Sequence, residues 1–102
     1  MTEVVEDVQI DEKIKLNVEE PSNYKVVMLN DDTTPMEWVI DILTMVFNHS
    51  QETAEKLALT IHNEGSAIAG VYKYEIAEQK SVECTNASRE HGFPLNVRLE
   101  KE

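Results

Sequence analysis

The chain has 102 residues, 41% of them hydrophobic, and a formal net charge of −11 from 20 acidic and nine basic residues. Its length suits one small domain, and its charge argues against nucleic acid or an anionic membrane surface as a partner, because both require clustered Lys and Arg. No apolar run approaches the length of a membrane span, the amino terminus lacks a secretory layout, and Cys84 has no second cysteine to pair with. We therefore expect a cytoplasmic protein.

The beginning of the chain is acidic. Residues 1–20 contain seven acidic and two basic residues, which is a net charge of −5, and their apolar residues keep no sustained helical or alternating period. We expect residues 1–22 to form a flexible extension and residues 23–102 to form the folded domain.

A short strand and a helix are predicted next. Residues 24–29 are aliphatic and bounded by turn residues, which indicates a buried strand. The run Thr34-Pro35-Met36-Glu37 is typical of a helix start: the Thr34 hydroxyl can accept from a first-turn amide, Glu37 can reach back to the Thr34 amide, and proline suits the first turn. The predicted helix extends to about Phe47, and its apolar face comprises Met36, Val39, Ile40, Leu43 and Phe47.

The rest of the chain predicts two more helices and two more strands. Ser50 can cap a second helix, and Gly65 ends it because glycine readily adopts the left-handed conformation beyond a helix end. Residues 66–73 predict a strand, residues 75–90 a third helix, and the alternation over residues 95–100 a last strand. This order predicts an α+β fold, a three-stranded antiparallel sheet covered on one side by three helices.

Two features could form a binding site. Asn30, Asp31 and Asp32 place an amide and two carboxylates before the first helix, where they either form an acidic turn that complements the helix dipole or hold a cation. His62 lies one residue from Ile61 on the second helix, either as a core residue or as a hydrogen-bond acceptor. If both converge beside an apolar groove, the site suits a primary ammonium attached to a hydrophobic group.

Enzymatic alternatives find little support. The Gly65–Gly70 spacing of a phosphate-binding loop is followed by Val71-Tyr72 where Lys and Ser or Thr are required. Asp31, Asp32, His62 and His91 show no metal-ligand spacing, and Cys84 has no local nucleophile signature. We expect no catalysis, no metal and no cofactor.

From about residue 23 onward the chain resembles the ClpS family, the bacterial adaptors that deliver N-degron substrates to the ClpAP protease. The matching stretches include Leu29-Asn30-Asp31-Asp32, Thr34-Pro35-Met36-Glu37, the Ile61-His62 pair, the run from Gly65 to Tyr72, and Pro94-Leu95. The resemblance implies a fold like the C-terminal domain of the ribosomal stalk protein. It also implies a monomeric adaptor, not an enzyme, that binds proteins beginning with Leu, Phe, Tyr or Trp.

The resemblance also implies roles for particular residues. The substrate's α-amine would be held by Asn30, Asp31, Asp32 and His62, and its first side chain would enter a hydrophobic pocket formed by Thr34, Met36, Val39, Ala58, Ile61 and Leu95. The N-terminal domain of a ClpA-type AAA+ unfoldase would dock on the face containing Glu75, Glu78 and Lys80. The acidic extension would take part in delivery.

One residue departs from the family pattern, and one alternative function is open. The family pocket usually has methionine at the position of Ala58, so this chain should have a wider pocket. The alternative is a small docking module that binds and regulates the unfoldase without recognising N-terminal residues. A Phe-initiated peptide and its acetylated twin distinguish the two, because a module without a pocket binds neither.

Overall fold

The computed structural model describes residues 22–102. The predicted acidic extension at residues 1–22 lies outside the described residues except for Ser22. The elements in chain order are β1 (Asn23–Leu29), α1 (Met36–Met45), α2 (Gln51–Glu64), β2 (Ser66–Lys73), α3 (Tyr74–Glu90) and β3 (Asn96–Lys101). This order of elements confirms the one predicted from the sequence.

The three strands form one antiparallel sheet with β1 in the centre, in the order β2-β1-β3. Val26 of β1 lies opposite Leu99 of β3, and Leu29 lies opposite Asn96. The pairing of β1 with β2 shifts register between Val26 and Val27. The predicted α+β class and antiparallel sheet are therefore confirmed.

The helices cover one face of the sheet. Val26, Met28 and Ala69 belong to the core cluster, and Val97 and Leu99 pack against it. Ile68 and Val71, which point away from this cluster, are 45% and 42% exposed. One face of the sheet is thus buried under the helices, whereas Ile68 and Val71 of the edge strand β2 are left exposed.

The helix α1 begins differently from its prediction. Pro35 is extended (φ −67°, ψ 147°) and occupies the N-cap position without a side-chain cap, so the helix starts at Met36. The Thr34 hydroxyl does not accept from a helix amide; it donates to Asp31 Oδ2 at 2.8 Å. The predicted capping box is wrong because Pro35, and not Thr34, occupies the N-cap position, and proline has no side-chain oxygen to accept from a helix amide.

The buried side of α1 also differs from its prediction. The helix ends at Met45, and its buried residues are Trp38, Val39, Ile42 and Leu43, whereas Met36 is 38% exposed. Phe47 is buried but lies beyond the helix end. Trp38 turns inward because its indole Nε1 donates to the buried hydroxyl of Ser88 on α3 at 2.9 Å. The buried residues form one stripe, which is rotated from the predicted one, because local periodicity indicates an apolar face but not the surface against which it packs.

The helix α2 begins and ends as predicted. The Ser50 hydroxyl accepts from the Thr53 amide at 3.2 Å, and Gly65 ends the helix in the left-handed conformation with φ of 93°. The Gly65 amide donates to the Ile61 carbonyl at 2.9 Å. Both end signals of this helix are therefore local and readable from the sequence.

Candidate functional site

The loop between β1 and α1 is organised by one carboxylate. Asp31 Oδ1 accepts from the amides of Thr33 and Thr34 at 2.8 and 2.7 Å, and Oδ2 accepts from the Thr34 hydroxyl. Aspartate favours such turns because its side chain can replace a backbone carbonyl as acceptor. The loop is thereby folded on itself, with Asn30 and Asp32 on either side of Asp31.

The pKa of the Asp31 carboxyl is lowered from its ordinary value of 3.8. Partial burial raises this pKa, but the backbone and side-chain hydrogen bonds from Thr34, the backbone hydrogen bond from Thr33 and the charge of Arg89 together outweigh it. The site therefore keeps a carboxylate under all near-neutral conditions.

One backbone contact brings this loop to α2. The Asn30 amide donates to the Gly65 carbonyl at 2.9 Å. Because Gly65 also terminates α2, the loop lies beside the last turn of that helix, where His62 is found. The two sequence features suspected of forming a site are joined through this glycine.

A cavity of about 320 Å³ opens where the loop, α1 and α2 meet. That volume is at the small end of the range for ligand pockets, roughly 300–1,000 Å³. It suits one side chain with its attached amine better than a long ligand. The lining residues come from the loop and the two helices: Asn30, Asp31, Asp32, Thr34, Met36, Val39, Ala58, Ile61 and His62.

The cavity has a polar part and an apolar part. Ala58 and Ile61 are each 2% exposed and Val39 is 6% exposed, so these residues form an apolar floor that belongs to the core. Met36 is more open, at 38%. Asn30, Asp32 and His62 are exposed. Within residues 22–102, the side chains of these three form no hydrogen bond with one another or with the rest of the fold.

The structure thus brings together nine of the ten predicted amine and pocket residues. Leu95 is the exception: it is 1% exposed in the core, immediately before β3, and does not line the cavity. His62 is exposed, which excludes the core interpretation of this residue.

The three predicted docking residues lie on α3 in different environments. Glu75 and Glu78 are exposed, and Glu78 accepts a long hydrogen bond of 3.4 Å from the Tyr74 hydroxyl. Lys80 is half-buried; its ammonium donates to the Val46 carbonyl at 2.8 Å and lies 5.5 Å from the centre of the Tyr72 ring. Lys80 therefore has a structural partner at the end of α1.

Arg89 was not singled out from the sequence. Its guanidinium donates to the carbonyls of Phe93 and Leu95 and to the Asn96 side chain, each at 2.9 Å. The sequence shows an arginine at the end of a predicted helix, followed by a short connection to a predicted strand. No local pattern in the sequence identifies the hydrogen-bond acceptors of this arginine.

Other chemistry finds no support in the part of the chain that is described. Residues 22–102 contain no group of three His, Cys, Asp or Glu placed to hold a metal, and no helix there is long and apolar enough to cross a membrane. Burial raises the pKa of the Cys84 thiol to about 11, against the opposing effects of Ser88 and Arg89. A protonated thiol is a poor nucleophile at neutral pH.

The fold and the cavity together define a small α+β binding domain whose site offers an apolar floor and several acceptors for hydrogen bonds. The model of the family "ATP-dependent Clp protease adaptor protein ClpS" matches residues 19–98. The chain therefore belongs to the ClpS family of Clp protease adaptors, and it is an adaptor and not an enzyme.

Curated relatives and a solved structure agree with this assignment. The ClpS adapter proteins of Treponema denticola and Sodalis glossinidius are each 45% identical, over 80% and 89% of this chain and 81% and 86% of their own. A solved structure of Agrobacterium tumefaciens ClpS2 bound to L-phenylalaninamide is 43% identical, with a TM-score of 0.79, and the match covers 81% of this chain and all of that one.

Proposed function

We propose that this adaptor binds proteins with an N-terminal Leu, Phe, Tyr or Trp and delivers them to the ClpAP protease. The observation that carries the proposal is the cavity, in which exposed acceptors adjoin an apolar floor. The A. tumefaciens relative was solved with L-phenylalaninamide, a free amine attached to a benzyl side chain, which has the chemistry of a first residue.

The amine would be held by Asn30, Asp31, Asp32 and His62. A free N-terminus presents a positive charge and three donors, whereas an internal peptide group presents one neutral donor. Burial of an ammonium is tolerable only against charged or hydrogen-bonding acceptors, so this site selects chain termini. Because the Asp31 oxygens already accept three hydrogen bonds within the loop, we assign the direct contacts mainly to Asn30, Asp32 and His62.

The first side chain would enter the apolar part of the cavity. Burial of a Leu or Phe side chain contributes roughly 1.5–3 kcal/mol. Thr34, Met36, Val39, Ala58 and Ile61 would line this part, while Leu95 would support it from the core. Amine and side chain are recognised together, so neither an internal hydrophobic residue nor a polar first residue meets both requirements.

Delivery would use a different face. We propose that the unfoldase's N-terminal domain docks on α3 at Glu75 and Glu78, which are exposed, and at Lys80, which is half-buried. The acidic segment at residues 1–22 would contribute to the hand-over. A cytoplasmic location follows from this proposal, because the protease requires ATP.

A peptide pair tests the proposal. A fluorescent Phe-initiated peptide should bind, and its N-acetylated twin should bind at least tenfold more weakly, since the ammonium contributes ~1.4 kcal/mol or more. His62→Ala should lose roughly 1–3 kcal/mol of binding to the free-amine peptide with its fold retained. Fluorescence anisotropy measures both.

The alternative function, a docking module without N-terminal recognition, gives a different result. Such a protein binds neither peptide but still binds the unfoldase's N-terminal domain. Unchanged affinity in a folded His62→Ala variant would remove this residue from the amine site.

A further inference from the structure

We propose that Arg89 is a positioning residue for the amine site: its guanidinium fixes the connection between α3 and β3, and through Asn96 and Leu29 it fixes the placement of Asn30. The inference rests on the proposed function, because the site that it positions is the one proposed to hold the substrate's amine. Arg89 itself does not line the cavity and would not contact the ligand.

The Arg89 guanidinium donates hydrogen bonds to three acceptors within residues 93–96. Nη1 donates to the carbonyls of Phe93 and Leu95, and Nη2 donates to the Asn96 side-chain oxygen, all at 2.9 Å. Phe93 and Leu95 lie in the second half of the connection, residues 91–95, and Asn96 is the first residue of β3. Between Phe93 and Leu95 stands Pro94, which has no amide hydrogen of its own. A rigid planar group with several donors can bind acceptors in several directions at once, which the single ammonium of lysine does less well.

This segment is connected to the amine site through the pairing of β3 with β1. Asn96 is the first residue of β3 and lies opposite Leu29, the last residue of β1. Leu29 immediately precedes Asn30, whose amide is held on its other side by the Gly65 carbonyl at 2.9 Å. Asn30 is thus positioned between the end of α2 and the start of β3.

Two further observations agree with this arrangement. Leu95, whose carbonyl accepts from Arg89, is 1% exposed and belongs to the core. The connection between α3 and β3 therefore cannot shift without disturbing the core beneath the cavity. The charge of Arg89 also contributes to the lowered pKa of Asp31, after the opposing effect of burial and the hydrogen bonds from Thr34 and Thr33. The Arg89 guanidinium therefore acts electrostatically on the loop between β1 and α1. It also binds the start of β3, the strand that pairs with β1.

The test measures the affinity of a Phe-initiated peptide for matched variants. Arg89→Gln should weaken binding about tenfold, a factor within the range for residues that share one hydrogen-bond network. Arg89→Lys, which keeps the charge but loses the planar fork, should recover only part of that affinity. Arg98→Gln is the control, because it removes the same charge from β3 at an exposed residue whose side-chain partner is Glu100, and it should bind like wild type.

A second variant separates positioning from general destabilisation. Asn96→Ala removes one of the three acceptors of the Arg89 guanidinium. It should weaken binding about threefold, less than Arg89→Gln does, because the other two hydrogen bonds remain. The double variant Arg89→Gln with Asn96→Ala should bind no more weakly than Arg89→Gln alone, because both changes interrupt one path. If Arg89→Gln does not fold, Asn96→Ala on its own decides the matter.

The outcomes are distinct. Unchanged affinity in folded Arg89→Gln, equal losses in Arg89→Gln and Arg98→Gln, or additive losses in the double variant would each overturn the inference while leaving the proposed function intact. If wild-type protein does not prefer the free-amine peptide over its acetylated twin, the proposed function itself has failed.

Discussion

At the scale of single residues, Asp31 and Asp32 are neighbours with the same chemistry and different environments. The Asp31 oxygens accept hydrogen bonds from Thr33 and Thr34, whereas Asp32 is exposed and its side chain forms no hydrogen bond within residues 22–102. One carboxylate therefore builds the loop and the other is available to a ligand. A loop that is folded before binding loses less conformational entropy when the ligand arrives.

Asp31→Asn should lower the free energy of unfolding by about 1 kcal/mol at neutral pH, because a neutral amide oxygen accepts weaker hydrogen bonds than a carboxylate. The pKa of Asp31 is lowered on folding, so the carboxylate contributes its stability above its ordinary pKa of 3.8 and loses it as pH falls through the lower folded-state value. The difference between wild type and variant should thus shrink below about pH 4.

Urea unfolding at pH 7, 5 and 3.5 measures this difference. Asp41→Asn, an exposed aspartate on α1, is the matched control and should stay near wild type throughout. A deficit in Asp31→Asn that stays constant down to pH 3.5 would contradict the assignment of the loop hydrogen bonds to the ionised carboxylate.

Ala58 should set the preference for the first side chain. It is 2% exposed on the cavity floor, at a position where the family resemblance leads us to expect methionine. Ala58→Met should raise the affinity for Leu-initiated peptides and lower that for Trp-initiated peptides, shifting the ratio by ~1 kcal/mol, because a void beside a small ligand forfeits dispersion contacts that a ring can make. A series of peptides that differ only in the first residue measures the shift; identical rank orders in both proteins would show that Ala58 does not shape the pocket.

At the scale of elements, the far end of α1 is held by another helix. The Lys80 ammonium of α3 donates to the Val46 carbonyl, the C-cap residue of α1, and the cation lies over the Tyr72 ring of β2. A cation near a helix C-terminus satisfies a free carbonyl and complements the helix dipole. Lys80 therefore links α1, α3 and the sheet. This link lies at the C-terminal end of α1, whereas the cavity lies near its N-terminal end.

Lys80→Met should therefore lower the free energy of unfolding by about 1 kcal/mol while retaining most of the aliphatic stem. Lys56→Met is the matched control, because Lys56 forms only an exposed pair with Glu52 at 3.6 Å, and such pairs contribute little. Chemical denaturation of both variants decides the question. Equal losses in the free energy of unfolding would mean that the hydrogen bond from Lys80 to the Val46 carbonyl stabilises the fold no more than the exposed pair of Lys56 does.

At the scale of the whole molecule, binding and delivery should be separable. Among the described residues, those that line the cavity lie between Asn30 and His62, whereas the proposed docking residues lie on α3. We propose that the acidic segment, which has a net charge of −5 over residues 1–20 and no sustained apolar period, makes transient contact with a partner during delivery.

Deletion of residues 2–18 should change the affinity for a Phe-initiated peptide less than twofold, because none of the residues proposed to bind the substrate belongs to this segment. Degradation of a Phe-initiated protein by ClpAP should fall steeply with the same variant. The full-length adaptor serves as control in both assays. Full degradation with the truncated adaptor would show that the segment is dispensable for delivery.

Much of this protein could be predicted from its sequence because the relevant signals are local. Gly65 ends α2 through its own freedom to adopt positive φ, Ser50 caps the same helix through a neighbouring amide, and the alternation of Val97 and Leu99 predicts a half-buried strand. The acceptors at Asn30 to Asp32 and the imidazole of His62 were likewise recognisable as an unusual set. The element order, the fold class and most cavity residues followed from such signals and from the family resemblance.

Tertiary contacts decided the rest. The Thr34 hydroxyl had two possible partners, and the folded loop presents the Asp31 carboxylate and not a helix amide. Trp38 turns inward because Ser88, 50 residues further on, lies within hydrogen-bond distance. Leu95, expected to line the pocket, packs in the core instead, and the three acceptors of Arg89 are identified by no pattern in the sequence. Local sequence determines which conformations a segment prefers, but competition among distant partners, which depends on three-dimensional proximity, determines which contact each side chain makes.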